Sequence, residues 1–344
     1  MTAGGPNSTS GSFPGKAPGP PASAQPPASA QPSSVLYLDD SSLKRFALDR
    51  GEAATIGELE ASRAVAQGGR IAYVGPGAAG EGDFLARPEL HLVTLETGAD
   101  LPLGPGFSPL WRPEGGALAY LRPLEERSCD PEACTGDSEV VMFDVDARER
   151  TVLLGAGRWS LLTWAGDDLL VADLSALDRT VRVSLSGSRT ELAIAPSEVW
   201  GASPDGRLLV RARLERAEVI GLGPRGLGAR IATIDLAGRR LAEGSWSEDS
   251  QSLAAVLLTV GHAGGVTSEL GLIGAATGAV HEFHGASGAT GPVLWGPDDD
   301  HVLAARSAGR AGGRLEAISC RAQGAASCEA LFGWKLGVTL LALE

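Results

Sequence analysis

Residues 202–212 read ASPDGRLLVRA and residues 246–256 read WSEDSQSLAAV. Each begins with a small or aromatic residue, passes through a polar turn and ends in an apolar strand. An Asp at a tight turn hydrogen-bonds its own backbone, and Gly supplies positive φ, so both stretches specify strand, turn, strand. The pattern returns in WGPDDDHVLAA from Trp295 and WRPEGGALAYL from Trp111. A degenerate copy, WAGDDLLVADL, starts at Trp164, and two weaker ones are AVAQGGRIAYV from Ala64 and WKLGVTLLALE from Trp334.

The seven landmarks at 64, 111, 164, 202, 246, 295 and 334 are 47, 53, 38, 44, 49 and 39 residues apart, a mean of 45. Between them recurs a strand that alternates apolar and polar residues and ends on a Gly, Asp or Arg turn: 89–98, 139–148, 230–239 and 269–278. A brief strand follows, as in RTVLLG at 150–155 and RLAEGS at 240–245. One unit is therefore strand, turn, strand, loop, strand, turn, strand. A lone twisted four-stranded sheet has two apolar faces and must stack on neighbours to hide them. The period is the blade length of a β-propeller, so the fold class is all-β: a single propeller of four-stranded blades.

The units resemble TolB-type or WD-like propeller repeats, whose pattern is roughly WSPDG, then IAF, then a strand ending in a D-x-x-x-G turn. ASPDG at 202–206 and WSEDS at 246–250 match best, WGPDD at 295–299 comes next, and the Trp111 copy departs at Arg112 and Glu114. The resemblance covers residues 35–344 and implies a scaffold that binds protein in a cell envelope. Ring closure sets the blade number. Residues 35–48 read as an outer pair of strands without an inner pair, and 332–344 as an inner pair without an outer one. Pairing the N- and C-terminal strands makes one blade from both and removes two exposed sheet edges. Seven blades result, or six if the Ala64 or Trp334 copy is illusory.

Residues 1–34 are rich in Pro, Ser, Ala and Gly and carry almost no large apolar residue. Such a segment cannot offset its ordering entropy and reads as a disordered linker, with the propeller over 35–344. It lacks the basic start and apolar stretch of a signal peptide; it reads as a spacer whose export signal or anchor is not in this chain, with an unimportant tail as the alternative. A net charge of −13 and a pI near 4.9 argue against nucleic acid or anionic membrane as a partner. No stretch is apolar over the eighteen residues a membrane span needs. Arginine outnumbers lysine 26 to 3, a bias that, with abundant Ala and Gly, reads as GC-rich bacterial coding.

Chemistry-bearing motifs are sparse. GPGAAG at 75–80 and GLGPRG at 221–226 follow strands, but the prolines and glycines after them preclude the helix that a dinucleotide site requires. Asp298, Asp299 and Asp300 form an acidic turn without a complete Ca²⁺-ligand loop. His281 and His284 would point to opposite faces of a strand, and no GxSxG, HExxH or P-loop is present. No cofactor or metal is expected. Cys129 pairs locally with Cys134, and Cys320 with Cys328 across a hairpin turn, RAQGAAS. Even number and proximity suit two disulfides in an extracytoplasmic protein; free thiols are the alternative, and zinc lacks a nearby His.

The functional expectation is a monomeric, non-catalytic ring that recognises a protein or glycan partner in the envelope or outside the cell. The alternatives are a glycan lyase or hydrolase with its site at the channel mouth, and the sensor domain of a membrane receptor. The loops joining second and third strands, read at 75–88, 122–138, 215–229, 259–268 and 306–313, would share one face. They offer Phe84, Arg87, Glu125, Glu126, Arg127, Asp130, Glu132, Arg216, Arg225, His262, Arg306 and Arg310 as partner-binding residues. Deleting residues 1–34 should leave the melting temperature unchanged within error; a fall of several degrees would show that the segment packs on the ring.

Overall fold

The computed structural model describes residues 33–39, 41–76, 88–124, 136–176, 179–214, 216–261, 265–307, 314–322, 327–335 and 338–343. Of the linker expected at 1–34, only Ser33 and Ser34 are described, and they belong to the ring: Ser34 is buried in the first strand and Ser33 O accepts the Leu48 N–H at 2.9 Å. Among the described residues there are 28 strands and a single 3-10 turn, Pro196–Glu198.

The chain enters with β1 (Ser34–Asp39), β2 (Ser42–Ala47) and β3 (Glu52–Glu58). Blade 2 follows with β4 (Arg63–Gln67), β5 (Arg70–Pro76), β6 (Pro88–Thr94) and β7 (Ala99–Pro105). Blade 3 holds β8 (Phe107–Trp111), β9 (Ala117–Pro123), β10 (Ser138–Asp144) and β11 (Glu149–Gly157). Blade 4 holds β12 (Trp159–Ala165), β13 (Asp168–Asp173), β14 (Thr180–Val183) and β15 (Arg189–Leu192). Blade 5 holds β16 (Val199–Ala202), β17 (Leu208–Arg213), β18 (Arg216–Gly223) and β19 (Gly226–Ile234). Blade 6 holds β20 (Arg240–Trp246), β21 (Ser252–Val260), β22 (Val266–Gly274) and β23 (Val280–Glu282). Blade 7 holds β24 (Ala289–Trp295), β25 (His301–Ser307), β26 (Arg314–Arg321) and β27 (Ser327–Lys335). The last strand, β28 (Val338–Leu343), returns to pair with β1. Seven four-stranded antiparallel sheets therefore close a seven-bladed propeller.

Closure differs from the sequence expectation in its division. Blade 1 takes one strand from the C-terminus and three from the N-terminus, in the order β28-β1-β2-β3. Residues 327–335 are the outermost strand of blade 7, so Trp334 marks that strand and begins no inner one. Val35 faces Leu343 in the closing pair while Asp39 faces Val338. Both chain ends thus emerge beside the turns that join first to second strands, here called the turn face. The opposite face, bearing the second-to-third loops and the links between blades, is the loop face.

The core is seven separate interfaces. Seven buried apolar clusters each join two adjacent blades, as where Val210, Val219 and Ile234 of blade 5 meet Leu253, Ala255 and Leu257 of blade 6. The second strand of a blade has both faces covered, so it reads as an unbroken apolar run. Leu253, Ala255 and Leu257 of β21 face blade 5, while Ala254 and Val256 face blade 7. Landmark tryptophans add polar ties between inner strands. The indole N–H of Trp111 donates to Val65 O at 3.0 Å, that of Trp164 to Leu110 O at 3.1 Å, and that of Trp295 to Ser245 O at 2.8 Å.

The turn face is stitched the same way. In blade 5, Ser203 Oγ donates to Asp205 Oδ1 at 2.6 Å and accepts the Leu208 N–H at 2.9 Å. In blade 6, Ser247 repeats both contacts with Asp249 and Ser252 at 2.7 and 3.0 Å. One position of this turn takes a left-handed φ in four blades: Gly115 at 72°, Gly206 at 70°, Ser250 at 61° and Asp299 at 51°. The last three each touch the preceding blade. Asp299 accepts the Glu248 and Asp249 N–H groups at 2.7 and 2.9 Å, and Ser250 Oγ accepts the Asp205 N–H at 3.2 Å. Gly206 lies so close that a Cβ would stand 2.6 Å from Ala165 O. Gly206→Ala combines left-handed strain with a main-chain clash and should destabilise the ring by about 2–4 kcal/mol, read by chemical denaturation.

Candidate recognition face

The seven inner strands that wall the channel carry three charged residues, Arg63, Arg240 and Glu243, and no His or Asp. Gln67, Ser, Thr and apolar residues supply the rest. Six inner strands slip register against the second strand, at Phe107/Leu110, Leu161/Thr163, Val199/Gly201, Leu241/Gly244, Thr290/Leu294 and, in β28, Leu340/Ala342. Such bulges re-aim side chains without assembling charge.

Charged residues elsewhere are mostly paired across strands. Arg211 and Arg213 of β17 flank Glu198 at 2.7 and 2.8 Å, and Arg230 meets Glu218 at 3.3 Å. The acidic turn is similarly engaged. Asp298 accepts from His301 Nδ1 at 2.6 Å and from the N–H groups of Asp300 and His301 at 3.1 and 3.2 Å. Burial pushes the Asp298 carboxyl up, but the His301 bond and the two backbone donors outweigh it and hold the group below its ordinary value. With Asp299 spent on blade 6 and Asp300 beside Arg321, the three carboxylates serve separate donors. Among the described residues no three His, Cys, Asp or Glu side chains come together as a metal ligand set.

One polar cluster stands apart from the channel strands, on blade 2. Tyr73 Oη donates to Asp100 at 3.0 Å, His91 Nδ1 lies 3.2 Å from both Asp100 oxygens, and the Tyr73 and His91 rings stack at 4.9 Å. Burial, then the Asp100 hydrogen bond, raises the Tyr73 hydroxyl well above the usual tyrosine value. The three groups satisfy one another on the flank of blade 2 that faces blade 1.

The loop face is where large apolar side chains surface. Leu124, Leu174 and Leu214 follow the second strands of blades 3, 4 and 5, and Val260 faces Val266 across the same position of blade 6. They account for five of the eight exposed large apolar residues among those described, with Leu214 72% exposed and Val266 61%. The other three, Ile56, Val152 and Ile231, lie on outer strands. Exposed apolar residues are ordinarily scattered; these five recur at the same place in four consecutive blades.

Of the residues expected from the sequence, Arg216 opens β18 on this face and is exposed. Arg306 also stands at the loop-face end of its strand, where Glu316 accepts from its Nε and Nη2 at 3.0 and 2.9 Å. Arg225 is a correction. Residues 215–229 are not one long loop: 216–223 and 226–234 are paired strands joined by the tight turn at Pro224 and Arg225, on the turn face. RIATIDLAGR is consequently the fourth strand of blade 5, and RLAEGS opens blade 6. Phe84, Arg87, Glu125, Glu126, Arg127, Asp130, Glu132, His262 and Arg310 lie outside the described residues, as do Cys129 and Cys134. The Cys320–Cys328 disulfide is present, linking directly opposed residues of β26 and β27. The apolar arc is not evident from the sequence alone; its signal is a large apolar residue immediately after the second strands of blades 3, 4 and 5.

No protein-family model matches the chain, and no curated protein resembles it closely enough to indicate kinship. Solved structures match its shape. The periplasmic gluconolactonase PpgL of Pseudomonas aeruginosa shares 14% identity at a TM-score of 0.55, over 91% of this chain and 100% of its own. Prolyl oligopeptidase B of Galerina marginata shares 11% at 0.57, over 88% of this chain and 48% of its own. TolB of Acinetobacter baumannii shares 14% at 0.47, over 86% of this chain and 62% of its own. The chain thus spans less than two thirds of the TolB and peptidase chains. At these identities the likeness is one of fold.

Because the folded-state value of Asp298 is depressed, its contribution is present above the unfolded value and lost as pH falls through the folded one. Asp298→Asn should therefore lower the melting temperature at neutral pH, and the gap from the parent should narrow below about pH 4, the ordinary Asp range. A gap independent of pH would remove the charge from this account.

Proposed function

We propose that the protein is a non-catalytic binding module, a rigid ring that presents its loop face to a protein partner outside the cytoplasm. One observation carries this reading: the arc of Leu124, Leu174, Leu214, Val260 and Val266 over blades 3 to 6. Burying such side chains against a complementary surface drives association, and a preformed ring loses little entropy on docking. The inner strands, with three charged residues, supply no matched acid, base and nucleophile. The TolB-like turns at 202–206 and 246–250, with their repeated Ser–Asp bond, favour the same class. An oxidising compartment is favoured by the Cys320–Cys328 disulfide, since such bonds persist mainly where thiols are not kept reduced.

A second reading is an enzyme acting at the channel mouth. One fact favours it: the structure matched over all of its own chain is named as a periplasmic gluconolactonase, so a ring of this size needs no second domain for hydrolysis.

The test compares capture of a partner from envelope extract by the parent, by Leu214→Asp with Val266→Asp, and by a chain whose residues 123–137 are replaced with a short Gly-Ser turn. Capture should fall at least about tenfold in the double variant while the melting temperature holds, as expected for loss of central apolar contacts. Full capture by both altered chains would eliminate the loop face as the recognition element. Turnover of gluconolactone or a related lactone by the parent would replace the binding reading with the enzymatic one.

A further inference from the structure

Among the described residues seven outer strands form the rim edges, that of β27 already bridged by His284 at Ser327, and six of the seven carry features that discourage pairing. β7 contains Pro102 and Pro105, β11 has Glu149, Arg150 and an irregular register, and β15 and β23 have only four and three residues. β19 carries Arg230 and two register shifts, and β27 carries Glu329 and the disulfide. Prolines, charges, bulges and shortness are the devices that keep edges from recruiting another strand. β3 differs. Its seven residues, EAATIGE, contain no proline and no charge between Glu52 and Glu58. None of its side chains is buried, so no neighbouring blade covers either side of it. Ile56, at a register shift against β2, projects 41% exposed.

We propose that the free edge of β3 is a docking site for an extended peptide with a small or β-branched core flanked by Lys or Arg, added as a fifth strand of blade 1. Main-chain pairing along Ala53–Gly57 supplies the affinity common to strand addition, and the ends supply the choice of partner. A second copy of this chain is the wrong occupant. Antiparallel pairing of two β3 strands centred on Thr55 would set Glu52 against Glu58 at both ends, and like charges directly opposite destabilise a ladder. Glu60, just beyond the strand, adds to the acidic end, while the nearby Arg50 is 3.6 Å from Asp49. The site lies on the outer rim and is separate from the loop face.

The experiment uses the full chain and two acetylated, amidated probes, Lys-Val-Thr-Val-Thr-Val-Lys and the same peptide with Glu at both ends. The Lys-flanked probe should bind at least about tenfold more tightly at low salt, since two end pairs together approach that factor. Amide exchange should slow in residues 53–57 when it binds. The double variant Glu52→Lys, Glu58→Lys changes exposed groups only and should reverse the preference while melting as the parent does. The Leu214→Asp, Val266→Asp chain should bind the probe unchanged. Equal binding of the two probes, protection elsewhere in the ring, or self-association of the parent abolished by the double variant would each overturn the proposal.

Discussion

Every blade is apolar on both sides of its sheet, and no blade can exist without two neighbours. That constraint organises the molecule. It explains why the apolar interior is divided into seven interfaces, why β21 reads as an unbroken apolar run, and why the ring must close. Closure falls to β28, a single strand returning to β1, so one ladder of five residue pairs completes the last two interfaces. The tryptophan ties and the inner-turn contacts act on top of the packing. They fix one blade's height and rotation against the next, which apolar contact alone leaves loosely specified.

The fold was legible because the inner turn is both local and repeated. Ser203–Asp205 and Ser247–Asp249 close their turns with their own side chains, so their residues are visible in sequence whatever surrounds them. The left-handed position was legible only in part. Gly206 announced itself, whereas Ser250 and Asp299 adopt the same φ because each bonds a neighbouring blade, a contact no local pattern encodes. The misreading in blade 5 has the same root. GLGPRG resembles a loop by composition, yet Gly223 and Gly226 face each other across a tight turn between long strands. At the closure, 332–335 reads as part of an inner pair because its pairing with β26 is specified by register, which an apolar run does not display.

The candidate site was less legible for a physical reason. Charged, irregular loops attract notice, while Leu124, Leu174 and Leu214 look like continuations of the strands they follow. Only the strand ends given by pairing reveal that these side chains have left the core. The two faces of the ring are correspondingly unequal. The turn face consumes its polar groups in contacts between blades, through Gln67 to Pro113, Arg112 to Asp167, and Asp299 to Glu248 and Asp249. The loop face holds the largest exposed apolar groups, so variation there leaves the ring's ties intact.

The pairing of Val35 with Leu343 brings the two ends of the propeller to one side of the molecule. A ring held from that side, whether by a natural stalk, a fused domain or a sensor chip, is oriented by its attachment. The apolar arc then points away from the support on every copy, and a partner arriving from solution meets it unobstructed. Attachment through a loop of blades 3 to 6 would do the reverse, turning the arc toward the surface that holds it.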